Sequence, residues 1–184
     1  NHDCHSAIRI TADNPILDVK ILDQAIESHL NSGADYSMTK NLPLGMNFEL
    51  FKSKALLKLK TLTLSDQDKE HVTPKFRENH RFEINEVSFD HLDYKSLRLT
   101  VDYPEDYLVI STVYQIASKY KLPIGLELVK FVDEQYPWLF EVNTDKRQKN
   151  IYKNLKEELQ DAIPILNDLD FKHTVQHLKN SNIN

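Results

Sequence analysis

The sequence predicts an α/β domain, and two observations carry that expectation: a unit of strand, acidic turn and helix near the start of the chain, and the same unit repeated further along. In residues 7–18, Ile8 and Ile10 alternate with Arg9 and Thr11, the period-two pattern of a half-buried strand. Asn14-Pro15 ends it, because the residue before a proline is pushed out of helical space and proline offers no ladder N–H. Asp13 is thereby expected at a strand's carboxyl end. From Asp18, a good N-cap, Val19, Leu22, Ala25, Ile26 and Leu30 recur at helical spacing until Gly33 supplies a stop. In the second unit Leu97, Leu99 and Val101 alternate over residues 96–101 and lead into Asp102. Pro104 at the first helical position, with Glu105 and Asp106 in the first turn, announces a helix to about Tyr120 that buries Leu108, Val109, Val113, Ile116 and Ala117. Open α/β sheets bind ligands outside the carboxyl ends of their strands, so Asp13 and Asp102 are the first candidate site residues.

The intervening chain supplies further elements. Residues 35–39 alternate as a short strand and residues 41–45 turn it. Residues 47–51 read as the next strand, with Phe48 and Leu50 on one face and Asn47, Glu49 and Phe51 on the other. Ser53 is expected to cap a helix carrying Ala55, Leu56 and Leu59. Ser65 with Asp68 signals another helix, through His71, which Pro74 bends or restarts. Residues 81–87 read as a strand. Residues 122–135 read as a turn and a short helix, and the aromatic segment 136–140 as a plug at the edge of the core. After residue 143 the composition turns charged. Ile151, Leu155 and Leu159 mark a helix expected to stop before Pro164, and Leu169, Val175 and Leu178 mark a second.

The chain has 184 residues, 40% hydrophobic and 28% charged, enough for one domain with a real core. A net charge of -5 shows no electrostatic footprint for nucleic acid, and Lys52, Lys54, Lys58 and Lys60 are explained as a solvated helix face. The single cysteine, Cys4, excludes an intramolecular disulfide and suits a reducing compartment. No apolar run approaches the ~20 residues of a membrane span, so a cytoplasmic location is expected. His2-Asp3-Cys4-His5 has metal-like composition but sits at a chain end, where side chains are rarely held in place. His173 and His177 share a helix face without a third ligand in view. With three glycines in the chain, no glycine-rich turn can cradle phosphates.

Residues Arg9-Ile10-Thr11-Ala12-Asp13-Asn14-Pro15 resemble the metal-carboxylate segment of the cytidylyltransferases grouped with spore coat polysaccharide biosynthesis protein F, relatives of CMP-KDO synthetase and the CMP-sialic acid synthetases. Residues Thr100-Val101-Asp102-Tyr103-Pro104-Glu105-Asp106 resemble the closing metal motif of that family. Between them, Gly45-Met46-Asn47-Phe48-Glu49-Leu50-Phe51 is similar to its glycine-to-glutamate strand, and Glu70-His71-Val72-Thr73-Pro74 to its histidine-containing helix. The four occur in family order. Three positions depart from the pattern: Asn47 stands for an aspartate, Leu99 for a tryptophan and Tyr103 for a threonine.

The resemblance implies a three-layer α/β/α, Rossmann-like domain of the nucleotide-diphospho-sugar transferase kind. It implies that residues 1–143 are the carboxyl-terminal portion of that domain, without its triphosphate-binding loop; residues 144–184 lie outside the resemblance and read, from their apolar spacing, as a helical tail. It implies transfer of CMP from CTP to a sugar or sugar acid for surface polysaccharide. Mg2+ would be bound by Asp13 and Asp102, with Arg9, Glu49 and His71 facing the nucleotide or sugar. A homodimer is left open. The alternatives are a non-catalytic fragment or scaffold of the same fold and a glycosyltransferase that uses a nucleotide-sugar.

Overall fold

The computed structural model describes residues 4–62, 73–92, 94–146, 152 and 154–180. Among these residues the strands β1 (Ser6–Arg9), β2 (Tyr36–Lys40), β3 (Glu49–Lys52) and β4 (Ile84–Ser88) form one mixed sheet in the order β1-β3-β2-β4. β3 runs antiparallel to both β1 and β2, whereas β4 is parallel to β2. The register sets Arg9 and Met38 on either side of Glu49 and Tyr36 beside Phe51. Alternation then gives one face Ala7, Arg9, Tyr36, Met38, Glu49 and Phe51, and the other Ile8, Ser37, Thr39 and Leu50.

Helices cover both faces. On the first, α2 (Ser53–Leu59) and α3 (Pro74–Glu78) close a small core of Tyr36, Phe51, Ala55, Leu59, Phe76 and Phe82. The Phe76 ring stacks on Tyr36 at 5.2 Å and meets the edge of Phe82 at 4.8 Å. On the second, α1 (Val19–Ser32), α4 (Pro104–Tyr120), α5 (Leu126–Gln135) and α6 (Trp138–Glu141) enclose the larger core, including Ile21, Phe48, Leu50, Val109, Val113, Leu128 and Phe140. The result is the expected helix, sheet, helix layering. No helix among the described residues is long and apolar enough to cross a membrane.

Several elements follow their sequence signals closely. Asp18 caps α1, its Oδ1 accepting from Ile21 N at 3.0 Å, and Gly33 ends the helix in the left-handed region at φ 63°. The other oxygen of Asp18 accepts from Leu126 N at 2.7 Å, so one buried carboxylate also satisfies the start of α5. α4 spans the residues expected for it and opens on Pro104. In the aromatic segment Leu139 and Phe140 enter the core as expected, and Trp138 stays exposed.

Other elements differ. The buried stripe of α1 is Ile21, Ala25 and His29, while Val19 and Leu30 are 66% and 64% exposed. Two apolar stripes about 100° apart compete on this helix, and hydrogen bonds decide between them. His29 Nδ1 pairs with Ser37 Oγ at 2.7 Å and Nε2 with Ser6 Oγ at 3.3 Å, which lets an imidazole occupy a core position. Burial, with Lys52 adding to it, pushes the His29 imidazole below its ordinary range. On α4 the same offset buries Ile110 and leaves Leu108 exposed. Ser53 is the first helical residue of α2 rather than its cap, which is Lys52.

The expected strand over 96–101 makes a single parallel bridge, Leu44 with Arg98. Leu44 N donates to Leu97 O at 3.0 Å and Leu99 N to Leu44 O at 2.7 Å, after which the chain leaves Leu44 for the turn at Asp13. Gly45 permits this approach. Its φ is +99°, and a Cβ there would lie 2.6 Å from both Leu99 C and Thr100 N. Gly45→Ala is therefore expected to destabilise the domain by about 2 kcal/mol or more, through backbone strain and displacement of residues 97–100, measured by urea unfolding.

The chain divides into two compact units, Asn1–Lys146 and Arg147–Asn184. Within the second lie α7 (Leu155–Asp168) and α8 (Lys172–Asn180). α7 continues through Pro164 instead of stopping before it. An interior proline loses one ladder bond and crowds the preceding turn, and the helix carries that cost after a firm start, with Asn154 Oδ1 accepting from Glu157 N at 3.0 Å. His2, Asp3, the helix signal at Ser65, His71 and Ile151 lie outside the described residues.

Candidate active site at the carboxyl edge of the sheet

After β1 ends at Arg9, a turn closed by Asn14 N on Thr11 O at 3.1 Å presents Asp13 beyond the last paired residue. The turn is held from the side by α4, whose Tyr114 hydroxyl donates to Pro15 O at 2.8 Å. The Asp13 carbonyl accepts from Val101 N at 2.9 Å and from Thr100 Oγ1 at 3.3 Å. The residue after Val101 is Asp102. The two acid-bearing turns are thus joined backbone to backbone, at the edge of the sheet where β1, β2 and β4 end, and both aspartates are exposed.

Beneath Asp102 lies a buried polar network. Arg98, only 5% exposed, reaches Asp106 twice, Nε to Oδ1 at 2.9 Å and Nη2 to Oδ2 at 3.0 Å, and reaches Asp102 Oδ2 through Nη2 at 2.5 Å. Asp106, fully buried in the first turn of α4, also accepts from the backbone N–H groups of Asp102 and Tyr103, each at 3.0 Å, and from Asn143 Nδ2 at 2.8 Å. The helix N-terminus favours a negative charge there. The Arg98 guanidinium lies over the Tyr103 ring, 5.3 Å from its centre.

These contacts have a pH signature. Burial alone would raise the Asp106 carboxyl, but Arg98, the two backbone donors and Asn143 outweigh it and hold it at about 2, below the usual 3.8. A carboxyl whose folded value is depressed adds stability above its unfolded pKa and loses it as pH falls toward the folded value. Urea unfolding is expected to show roughly 2 kcal/mol lost between pH 4 and pH 2 on account of Asp106, in addition to whatever other carboxylates contribute.

The second cluster centres on Glu49. Its carboxylate accepts from Arg9 Nη1 at 2.8 Å across the β1–β3 pair, from the Tyr36 hydroxyl at 2.5 Å and from Thr73 Oγ1 at 2.9 Å. Burial, then the neighbouring Glu49 carboxylate, pushes the Tyr36 hydroxyl far above its ordinary value, so it remains a donor. Arg9 and Glu49 come together as expected, with Glu49 turned onto protein donors and Arg9 partly exposed. Asn47 is tied into the adjacent loop, its Nδ2 donating to Pro43 O at 3.3 Å and its Oδ1 accepting from Thr39 at 3.4 Å. Neither Tyr36 nor Thr73 was marked as a candidate by the sequence, nor were Arg98 and Asn143. Arg98 had a cue, a charged residue inside an apolar run that ends on Asp102; Asn143 had none.

A sheet between helical layers, with acids gathered at its carboxyl edge, is a nucleotidyltransferase-like α/β fold. The same fold occurs in a solved structure of a cytidylyltransferase from Leptospira borgpetersenii serovar Hardjo-bovis, which is 24% identical at a TM-score of 0.65 over 80% of this chain and 61% of that one. Residues 1–157 match the family described as Cytidylyltransferase, and the chain belongs to that family. It is 35% identical over 116 residues to the spore coat polysaccharide biosynthesis protein SpsF of Bacillus subtilis, covering 61% of this chain and 48% of that protein. It is 30% identical over 154 residues to the uncharacterized protein MJ1063 of Methanocaldococcus jannaschii, covering 82% of this chain and 61% of the relative. The chain thus spans about half to three-fifths of the length of these relatives.

Proposed function

We propose that the full-length protein transfers CMP from CTP to a sugar or sugar acid for surface polysaccharide, in the cytoplasm and with Mg2+. The observation that carries this reading is the Val101 N to Asp13 O hydrogen bond, which sets the turns of Asp13 and Asp102 side by side. The donor set suits a hard cation. Magnesium takes oxygen ligands and is commonly held by one or two carboxylates, with substrate phosphates and waters completing the shell. Asp13 is exposed, and Asp102 has one oxygen engaged by Arg98, leaving Oδ1 to offer. Among the described residues no group of three or more histidine, cysteine, aspartate or glutamate side chains is placed to hold a metal ion.

In this reaction an acceptor oxygen attacks the α-phosphorus of CTP, the bond to the bridging oxygen breaks, and pyrophosphate leaves. Held by Asp13 and Asp102, the cation would supply positive charge against the phosphate oxygens. Arg9, kept in place by Glu49, would offer its remaining N–H groups to the nucleotide or sugar, and His71 is a further candidate contact by resemblance. Glu49 then acts by orienting Arg9, because its own oxygens are occupied. Titration calorimetry of CTP into the full-length protein tests the reading: saturable binding that requires magnesium is expected. No binding in either condition would favour a non-catalytic scaffold.

A further inference from the structure

We propose, resting on the reading just given, that Arg98 is a positioning residue that fixes the Asp102 carboxylate for the cation. Asp102 is 43% exposed on its side chain, and an exposed aspartate at a turn samples several rotamers unless something holds it. Arg98 is what holds it, through the 2.5 Å contact of Nη2 with Oδ2. Arg98 cannot swing with its partner. Asp106 grips its guanidinium at two points, Asn143 Nδ2 donates to its carbonyl at 3.1 Å, and its backbone is bridged to Leu44. A rigid planar fork between two carboxylates transmits the geometry of a buried acid to an exposed one.

The satisfaction of the network's polar atoms points the same way. A network retained for stability alone would be fully paired. Here, among the described residues, Arg98 Nη1 and Asn143 Oδ1 are buried with no hydrogen-bond partner, and a buried polar atom left unpaired is destabilising.

The test is Mn2+ binding to the full-length protein, followed by electron paramagnetic resonance, which reads the cation without turnover. Arg98→Lys keeps the charge but loses the fork, and it is expected to weaken Mn2+ binding about tenfold or more. In Asp102→Asn the added Arg98→Lys change should then make no further difference, because Arg98 acts through Asp102. Normal Mn2+ affinity in Arg98→Lys, or additive losses in the double variant, would overturn the proposal. If Arg98→Lys does not fold, the wild type decides: in 15N-arginine-labelled protein the Arg98 guanidinium resonance should shift on adding Mg2+, and an unmoved resonance rejects the role. Wild-type protein that binds no Mn2+, or binding indifferent to Asp102→Asn, refutes the two-carboxylate metal reading itself, a result distinct from the failure of Arg98 alone.

Discussion

Asp13→Asn and Asp102→Asn, made separately in the full-length protein, are each expected to reduce pyrophosphate release from CTP by roughly a hundredfold or more. Each change removes one full negative charge while preserving shape, so the fold should survive. The Asp13 link to Val101 and Thr100 runs through its backbone carbonyl and is untouched by the substitution. Melting temperatures close to wild type with turnover near background would therefore locate the loss in the carboxylates. Normal turnover in both variants would dispose of the mechanism.

The second large effect is on stability. Asp106→Ala strips two bonds from Arg98, one from Asn143 and one each from the N–H groups of Asp102 and Tyr103, all at a residue with no exposed surface. Removing one partner of a buried ion pair strands the other charge, which costs about 3–5 kcal/mol. For a domain of this size that corresponds to a fall of roughly 10 °C in melting temperature, measurable by calorimetry. Asp106→Asn, which keeps the shape and one acceptor, should fall between the two. A melting temperature unchanged in Asp106→Ala would show that the network contributes nothing to the folded state.

Much of this architecture was legible in the sequence because its signals are local. Asp18, Gly33 and Pro104 act within one turn of where they stand, and the strand alternations at Ile8 and Leu50 need only their neighbours, although β3 begins at Glu49 rather than at residue 47. The juxtaposition of Asp13 and Asp102 was inferred from repetition of one unit and from resemblance, and the backbones do meet. What could not be read is whatever depends on a distant partner. His29 displaced Leu30 from the core because Ser37 and Ser6 wait across the sheet, and Glu49 faces inward because Tyr36 and Thr73 converge on it. The segment at Leu97–Val101 alternates like a strand, yet a strand needs a partner that runs beside it for several residues, and the chain supplies one residue at Leu44 and a turn at Asp13.

Helix α4 touches both acid-bearing turns, through Asp106 at its start and Tyr114 two turns later. It therefore behaves as a ruler: the rise from residue 106 to 114, about 12 Å at 1.5 Å per residue, sets how far apart the two anchor points stand. A single-residue insertion between them would rotate Tyr114 by about 100° away from Pro15 while leaving Asp106 in place. The two acid-bearing turns are thus braced by a helix that contains neither aspartate.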